Sequence, residues 1–337
     1  MTTTTTELDD IEHLLIGATS VEAIFGADID REYRKLARAC HPDRYRGKPQ
    51  EAQAERCFRM LMDWRDKADA GLEEVKSKTH TYRLVRVVGT GDISAVYYAA
   101  TGSEPYAIKI PRVANCNNLL AKEAEILRQL QEYAVGDKEV FGKYLPVLTD
   151  SFTVDRRRIN AFKWVEGYAS AEIIKSRFPA LDPRHCAWML RRLLEVLGYV
   201  HECGWVHGAV LPPHLLFHPT GHGVLLLDWI HAEKVGSPIK TVPAAFRDWY
   251  PADTLKRGPA GPALDIYSAC RTIAWLAGWG GAGPLPKSIP ARFAAFLRGC
   301  LLESPHARPQ NAWEAHEELS AALKKDFGKP KYIRLDL

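Results

Sequence analysis

Hydrophobic positions change their period along this chain, and the changes divide it. Before residue 70 they recur every three or four residues. Tyr33, Leu36, Ala37 and Cys40 fall at i, i+3, i+4 and i+7, which predicts a helix from about Asp28 to Cys40 with one face in a core. Arg31, Arg34, Lys35 and Arg38 repeat that spacing as a basic stripe on another face. Ahead of it, Thr19-Ser20-Val21-Glu22 fits a capping box that opens a short helix, which Gly26 stops near Phe25. Behind it, Pro42 pushes His41 out of helical geometry and ends the helix. Pro49 in a first turn, then Cys57, Leu61, Trp64 and Ala68, predict a third helix antiparallel to the second. His41-Pro42-Asp43 thereby falls in the loop of a helical hairpin.

Residues 71–80 are charged and weakly patterned, and read either as a linker or as an extension of the third helix. From Tyr82 the pattern turns to strands, over Tyr82 to Val88, Ala95 to Ala99 and Tyr106 to Ile110. Helical periodicity returns in Leu119 to Leu127. It returns again from His185 to Glu202, with Trp188, Leu190, Leu193, Leu194, Leu197 and Val200 as core candidates.

Composition narrows the class. With 46% hydrophobic residues over 337 positions, the chain has enough apolar surface for well-packed domains. A net charge of +4 gives no case for bulk nucleic-acid binding, so any basic patch is local. The seven cysteines are scattered, odd in number and without a Cys-x-x-Cys pair, as expected of reduced thiols in cores. No apolar run is long enough to span a bilayer, and Thr2 to Thr6 lack the apolar core of a secretory signal. The expectation is a cytoplasmic protein with no membrane or nucleic-acid partner.

His41-Pro42-Asp43 closing a basic Tyr-Arg-Lys-Leu-Ala helix resembles a J domain, the module by which DnaJ-type co-chaperones stimulate the ATPase of a DnaK-type chaperone. The resemblance covers about residues 15 to 70. The spacer from Gly26 to Tyr33 is shorter than is usual in that family, which predicts a truncated start to the second helix. It implies that His41, Pro42 and Asp43 activate the chaperone, and that Arg31, Arg34, Lys35 and Arg38 dock its acidic surface. Such an association is steered by charge and weakened by salt.

The turn Gly89-Thr90-Gly91-Asp92-Ile93-Ser94 fits a bare hairpin as well as a phosphate cradle when taken alone. The next strand, however, carries Lys109 among apolar residues, and a buried lysine is costly unless paired. The following helix offers Glu123, with Glu125 as the alternative. Taken with Phe162 to Gly167, Trp249 to Asp253, Asp265 to Ser268 and Arg308-Pro309, these stretches resemble a protein kinase in motif order over about residues 80 to 325. The resemblance implies a nucleotide site of Gly89, Gly91, Ser94, Val96, Ala107, Lys109 and Glu123, an interlobe hinge at Phe162 to Gly167, and Asp228 as a metal ligand. It also implies that Arg308 pairs with Asp253. Ser94 stands where the family has its third glycine.

The catalytic stretch departs most. His207-Gly208-Ala209 stands where the family has His-Arg-Asp, so Ala209 replaces the carboxylate that orients the acceptor hydroxyl. Leu211 replaces the lysine and His214 the asparagine, and Asp228 is followed by Trp229 and Ile230 instead of Phe and Gly. Imidazole at His214 suits a transition metal better than magnesium. No catalytic residue is expected in the degenerate loop of His207, Ala209, Leu211 and His214.

The predicted fold is therefore α+β: a small helical-hairpin J domain, then a two-lobed kinase-like fold with an antiparallel sheet plus helix in the N-lobe and a mainly helical C-lobe. The expected boundaries are a disordered 1–10, a J domain 11–70, a linker 71–80, an N-lobe and hinge 81–168, a C-lobe 169–327 and a tail 328–337. The expected function is a J-domain co-chaperone whose pseudokinase domain binds ATP with Mg2+, or a protein client, and recruits a DnaK-type chaperone. One alternative is an active atypical phosphotransferase. Another is a nucleotide-free scaffold.

Overall fold

The computed structural model describes residues 3–18, 20–70 and 74–337, with the side chains of residues 3–7, 69 and 70 outside that description. The chain divides into two compact units, residues 1–124 with 148–164 and residues 125–147 with 165–337.

The first unit begins with four helices: α1 Thr3–Gly17, α2 Val21–Phe25, α3 Ile29–Cys40 and α4 Glu51–Ala70. The start expected to be disordered is helical from Thr3, because Leu8, Ile11 and Leu15 recur at helical spacing and bury themselves in the same core as Phe25, Tyr33, Cys40, Cys57 and Leu61. Helix α2 is capped by Ser20, whose hydroxyl accepts from the Ala23 N–H at 3.2 Å. The box read on Thr19 is thus displaced by one residue, with Ala23 in the place expected of Glu22, and Thr19 itself lies outside the described residues. Helix α3 starts where Asp28 accepts from the Arg31 N–H at 3.1 Å, and it ends where Pro42 opens a single 3-10 turn over Pro42–Arg44. Pro49 lies in the turn ahead of α4 and not in its first turn.

A six-stranded antiparallel sheet completes this unit: β1 Glu74–Lys76, β2 Thr81–Thr90, β3 Ser94–Thr101, β4 Glu104–Pro111, β5 Leu148–Val154 and β6 Arg157–Lys163, in the order β1-β2-β3-β4-β6-β5. The expected linker is corrected in part. Glu74 to Lys76 form an edge strand, since Val75 buries between two exposed charged neighbours and pairs with Tyr82, while residues 71–73 lie outside the described residues. Alternation sets the sheet's faces. Tyr97, Ala99, Ile108 and Ile110 enter its core, which leaves Val96, Ala107 and Lys109 on the other face. Helix α5, Asn117–Tyr133, follows β4 and brings Glu123 to this unit.

The second unit is mainly helical. Its elements are α6 Glu139–Gly142, α7 Ala171–Arg177, α8 Pro183–Glu202, α9 Ala252–Leu255, α10 Pro262–Leu276, α11 Ala291–Cys300 and α12 Ala312–Phe327. Short strands β7 Ala169–Ser170, β9 Leu215–Phe217 and β10 Val224–Leu226 form one sheet, and β8 Trp205–Val206 pairs with β11 Glu233–Lys234. Asp182 caps α8 and Pro183 fills its first position, and the helix buries Leu190, Leu193, Leu194, Leu197 and Val200 as its periodicity predicts. Gly198 lets α12 approach, for a Cβ there would lie 2.5 Å from the Trp313 ring. The tail also packs. The Leu335 side chain is buried and its N–H donates to Pro219, while His222 stacks on Trp188 on one side and on Tyr332 on the other.

Candidate functional site

In the first unit, Lys109 Nζ lies 2.7 Å from Glu123 Oε1, and both side chains are almost fully buried. The second carboxylate oxygen accepts from Asn160 Nδ2 at 3.0 Å. Asn160 also donates to the Leu120 carbonyl at 2.9 Å and accepts from the Ser151 hydroxyl at 2.8 Å. Glu125, the alternative partner, is exposed and accepts from Gln129 instead. Asn160 was not foreseen, although an asparagine inside the apolar run Ile159 to Phe162 is itself a signal of a buried polar network. Val96 pairs in register with Lys109, and Ala107 with Tyr98. The Gly-rich turn is closed by Gly91 N–H donating to the Ser94 carbonyl at 2.9 Å, with Ser94 buried.

In the second unit, the loop is organised by Asp265 on α10, which is fully buried. Its carboxylate accepts from the backbone N–H groups of His207 and Gly208, each at 2.8 Å, and from His201 Nε2 at 3.0 Å. Gly208 has φ of 75°, and a Cβ there would come within 2.9 Å of the His231 carbonyl, so both conformation and space demand glycine. Tyr250 donates from its hydroxyl to the Gly208 carbonyl at 2.8 Å. Asp253 and Arg308 form the expected pair at 3.1 Å.

His207 donates from Nε2 to the Leu227 carbonyl at 2.9 Å and accepts at Nδ1 from the Ala209 N–H at 3.3 Å. Neutral imidazole satisfies both bonds, and complete burial holds its pKa down to about 4. His214 differs. Its Nδ1 faces the Ala209 carbonyl at 2.8 Å and its Nε2 faces Asp228 Oδ2 at 3.1 Å. Carbonyl and carboxylate both accept, so both ring nitrogens are called on to donate. Asp228 is held in the left-handed region, with φ of 65°. Trp229 is fully buried, donates to the Leu226 carbonyl at 2.9 Å and packs edge-on against His207.

Ala209 and Leu211 lie in an apolar cluster with Val206, Ile239, Tyr250, Ala260 and Leu264. Position 209 is therefore buried and apolar as well as uncharged. Burial pushes the pKa of the Glu172 carboxyl up, partly offset by His214. For a magnesium ion, Asp228 offers oxygen but position 214 offers nitrogen, a poor match. Among the described residues no three His, Cys, Asp or Glu side chains form a metal-binding group.

The third set lies on α3. Arg31, Arg34, Lys35 and Arg38 are exposed, and with Ala39, Arg44 and Asn115 they line a groove of about 430 Å³. His41 follows α3, accepts at Nδ1 from the Asp43 N–H at 3.3 Å and packs edge-on against Phe58. Arg44 donates back to the Arg38 and Ala39 carbonyls, which fixes the loop to the helix end.

No family model matches the chain. The serine/threonine-protein kinase D of Synechocystis sp. is 22% identical over 270 residues, which take in 74% of this chain and 47% of that protein. This chain thus corresponds to about half of that relative's length. A crystal structure of a kinase domain matches with a TM-score of 0.56 at 15% identity, covering 77% of this chain and 98% of that domain. The fold is protein-kinase-like, and among the described residues no helix is long and apolar enough to cross a membrane.

Proposed function

We propose that this chain is a nucleotide-binding, protein-kinase-like protein that moves no phosphoryl group with the help of position 209, and whose helical unit docks an acidic partner. The observation that carries the first part is the buried Lys109–Glu123 pair, braced by Asn160. A buried ion pair is rarely a gain in stability over apolar packing, so its presence on the face shared with Val96 and Ala107 supports a binding role. Lys109 supplies positive charge to a phosphate group of ATP, and the Gly89 to Ser94 backbone supplies N–H donors. The buried alanine at 209 neither accepts a proton nor orients a hydroxyl.

The test is binding of a fluorescent ATP analogue and transfer from labelled ATP, measured together on wild type, Lys109→Ala and Asp228→Ala. Binding by wild type that Lys109→Ala abolishes, with no transfer, is expected. Absence of binding at any metal concentration would leave the scaffold reading in its place. The similarity to a serine/threonine kinase favours a second reading, phosphotransfer through a non-standard loop. Transfer by wild type that vanishes in Asp228→Ala would establish that reading.

The second part rests on His41-Pro42-Asp43 at the end of an exposed basic helix. Its proposed partner is a DnaK-type chaperone, to which the kinase-like part would deliver a protein client. Stimulated chaperone ATPase that His41→Gln abolishes is expected, and no stimulation by wild type would remove this part.

A further inference from the structure

Arg112 stands three residues beyond Lys109, immediately after the last residue of β4, and its side chain is 1% exposed. A buried guanidinium is tolerated only where its donors find acceptors. Its Nε donates to the Gly91 carbonyl at 2.7 Å, at the tip of the Gly-rich turn. Its Nη1 donates to Asp66 Oδ1 at 2.9 Å and to the Met62 carbonyl at 3.4 Å, both on α4. Nη2 is buried without a partner among the described residues. The Arg112 backbone N–H donates to the Ile93 carbonyl at 2.9 Å. One residue therefore grips both ends of the Gly91 to Ile93 turn and, through Asp66, helix α4 of the same unit.

The next residues continue the seat. Val113 is part of the helical core, Cys116 packs against that core, and Asn115 Oδ1 accepts from Arg34 Nη1 at 3.5 Å.

We propose that Arg112 is a positioning residue through which the helices α1 to α4 set the conformation of the Gly-rich turn. The guanidinium is a rigid fork, so fixing one prong on Asp66 fixes where the other meets Gly91. The Gly91 carbonyl is drawn toward Arg112, and peptide planarity then aims the Asp92 N–H the opposite way. Loss of the Asp66 charge leaves the buried guanidinium with neutral carbonyls alone, and the turn is released as the side chain reorients. What binds on α3 and what binds at the turn are consequently coupled, and thermodynamic linkage makes the coupling reciprocal. The ligand at the turn is the nucleotide of the reading above, and the clamp rests on that reading only for its effect on binding.

Asp66→Asn in the full chain tests it by amide hydrogen exchange without nucleotide and by titration with the fluorescent ATP analogue. The Gly91 and Arg112 amides should exchange about tenfold faster while those in the middle of β4 keep their protection. Analogue affinity should fall about fivefold, and Asp66→Glu should restore both. Arg112→Lys keeps a charge beside Asp66 but loses the fork, and should loosen the same turn. Unchanged exchange at the turn in both Asp66→Asn and Arg112→Lys would overturn the clamp, as would a uniform rise over the whole sheet. If wild type binds no analogue, the nucleotide reading falls and the turn's exchange alone decides the clamp.

Discussion

Single residues carry two measurable consequences. Removing the amine of Lys109 takes the opposite charge 2.7 Å from the buried Glu123 carboxylate away, so Lys109→Met should lower stability by about 3 kcal/mol in urea denaturation. His207 gives a pH dependence with a definite sign. Its folded pKa of about 4 lies below the unfolded value of about 6.5, so the unfolded chain takes up the proton first. Stability is unaffected by this group above pH 6.5 and falls as pH drops toward 4, by at most about 3 kcal/mol. The difference between wild type and His207→Gln in unfolding midpoint against pH isolates that slope from the other histidines.

Elements depend on close approach at a few points. Helices α8 and α12 meet where Gly198 lies under the Trp313 ring, whose Nε1 donates to Glu202 at 2.9 Å. Gly198→Ala would force that ring aside, because its backbone-fixed Cβ would sit at 2.5 Å, and should cost about 1–3 kcal/mol by thermal denaturation. Elements were also where sequence reading worked unevenly. Helix α3 was legible because its apolar periodicity and Pro42 agree on its limits. Strand β1 was not, since three residues with one apolar side chain, Val75, make no pattern.

At the scale of the whole molecule, the kinase-like fold was legible because its polar residues sit at conspicuous places: Lys109 in an apolar strand, Asp265 on an apolar helix, and Arg308 before a proline. Contacts between distant segments were not. Nothing local to Arg112, Asn160 or Leu335 announces Asp66, Glu123 or Pro219 as their partners. The tail shows the scale of what such contacts hold. Deleting residues 329–337 strips Leu335 from its site and Tyr332 from His222, and should lower stability by about 2 kcal/mol in thermal denaturation.

The apolar surroundings of Ala209 decide what the position can hold. In an open, wet loop a carboxylate would be accommodated at little cost. Here the neighbours have closed over the position, so Ala209→Asp would bury a carboxylate among Val206, Leu211 and Ile239. The variant should lose about 3 kcal/mol of stability, measured in urea, and gain no transfer from labelled ATP. Accommodating a carboxylate at residue 209 would need several coordinated changes in the packing around it.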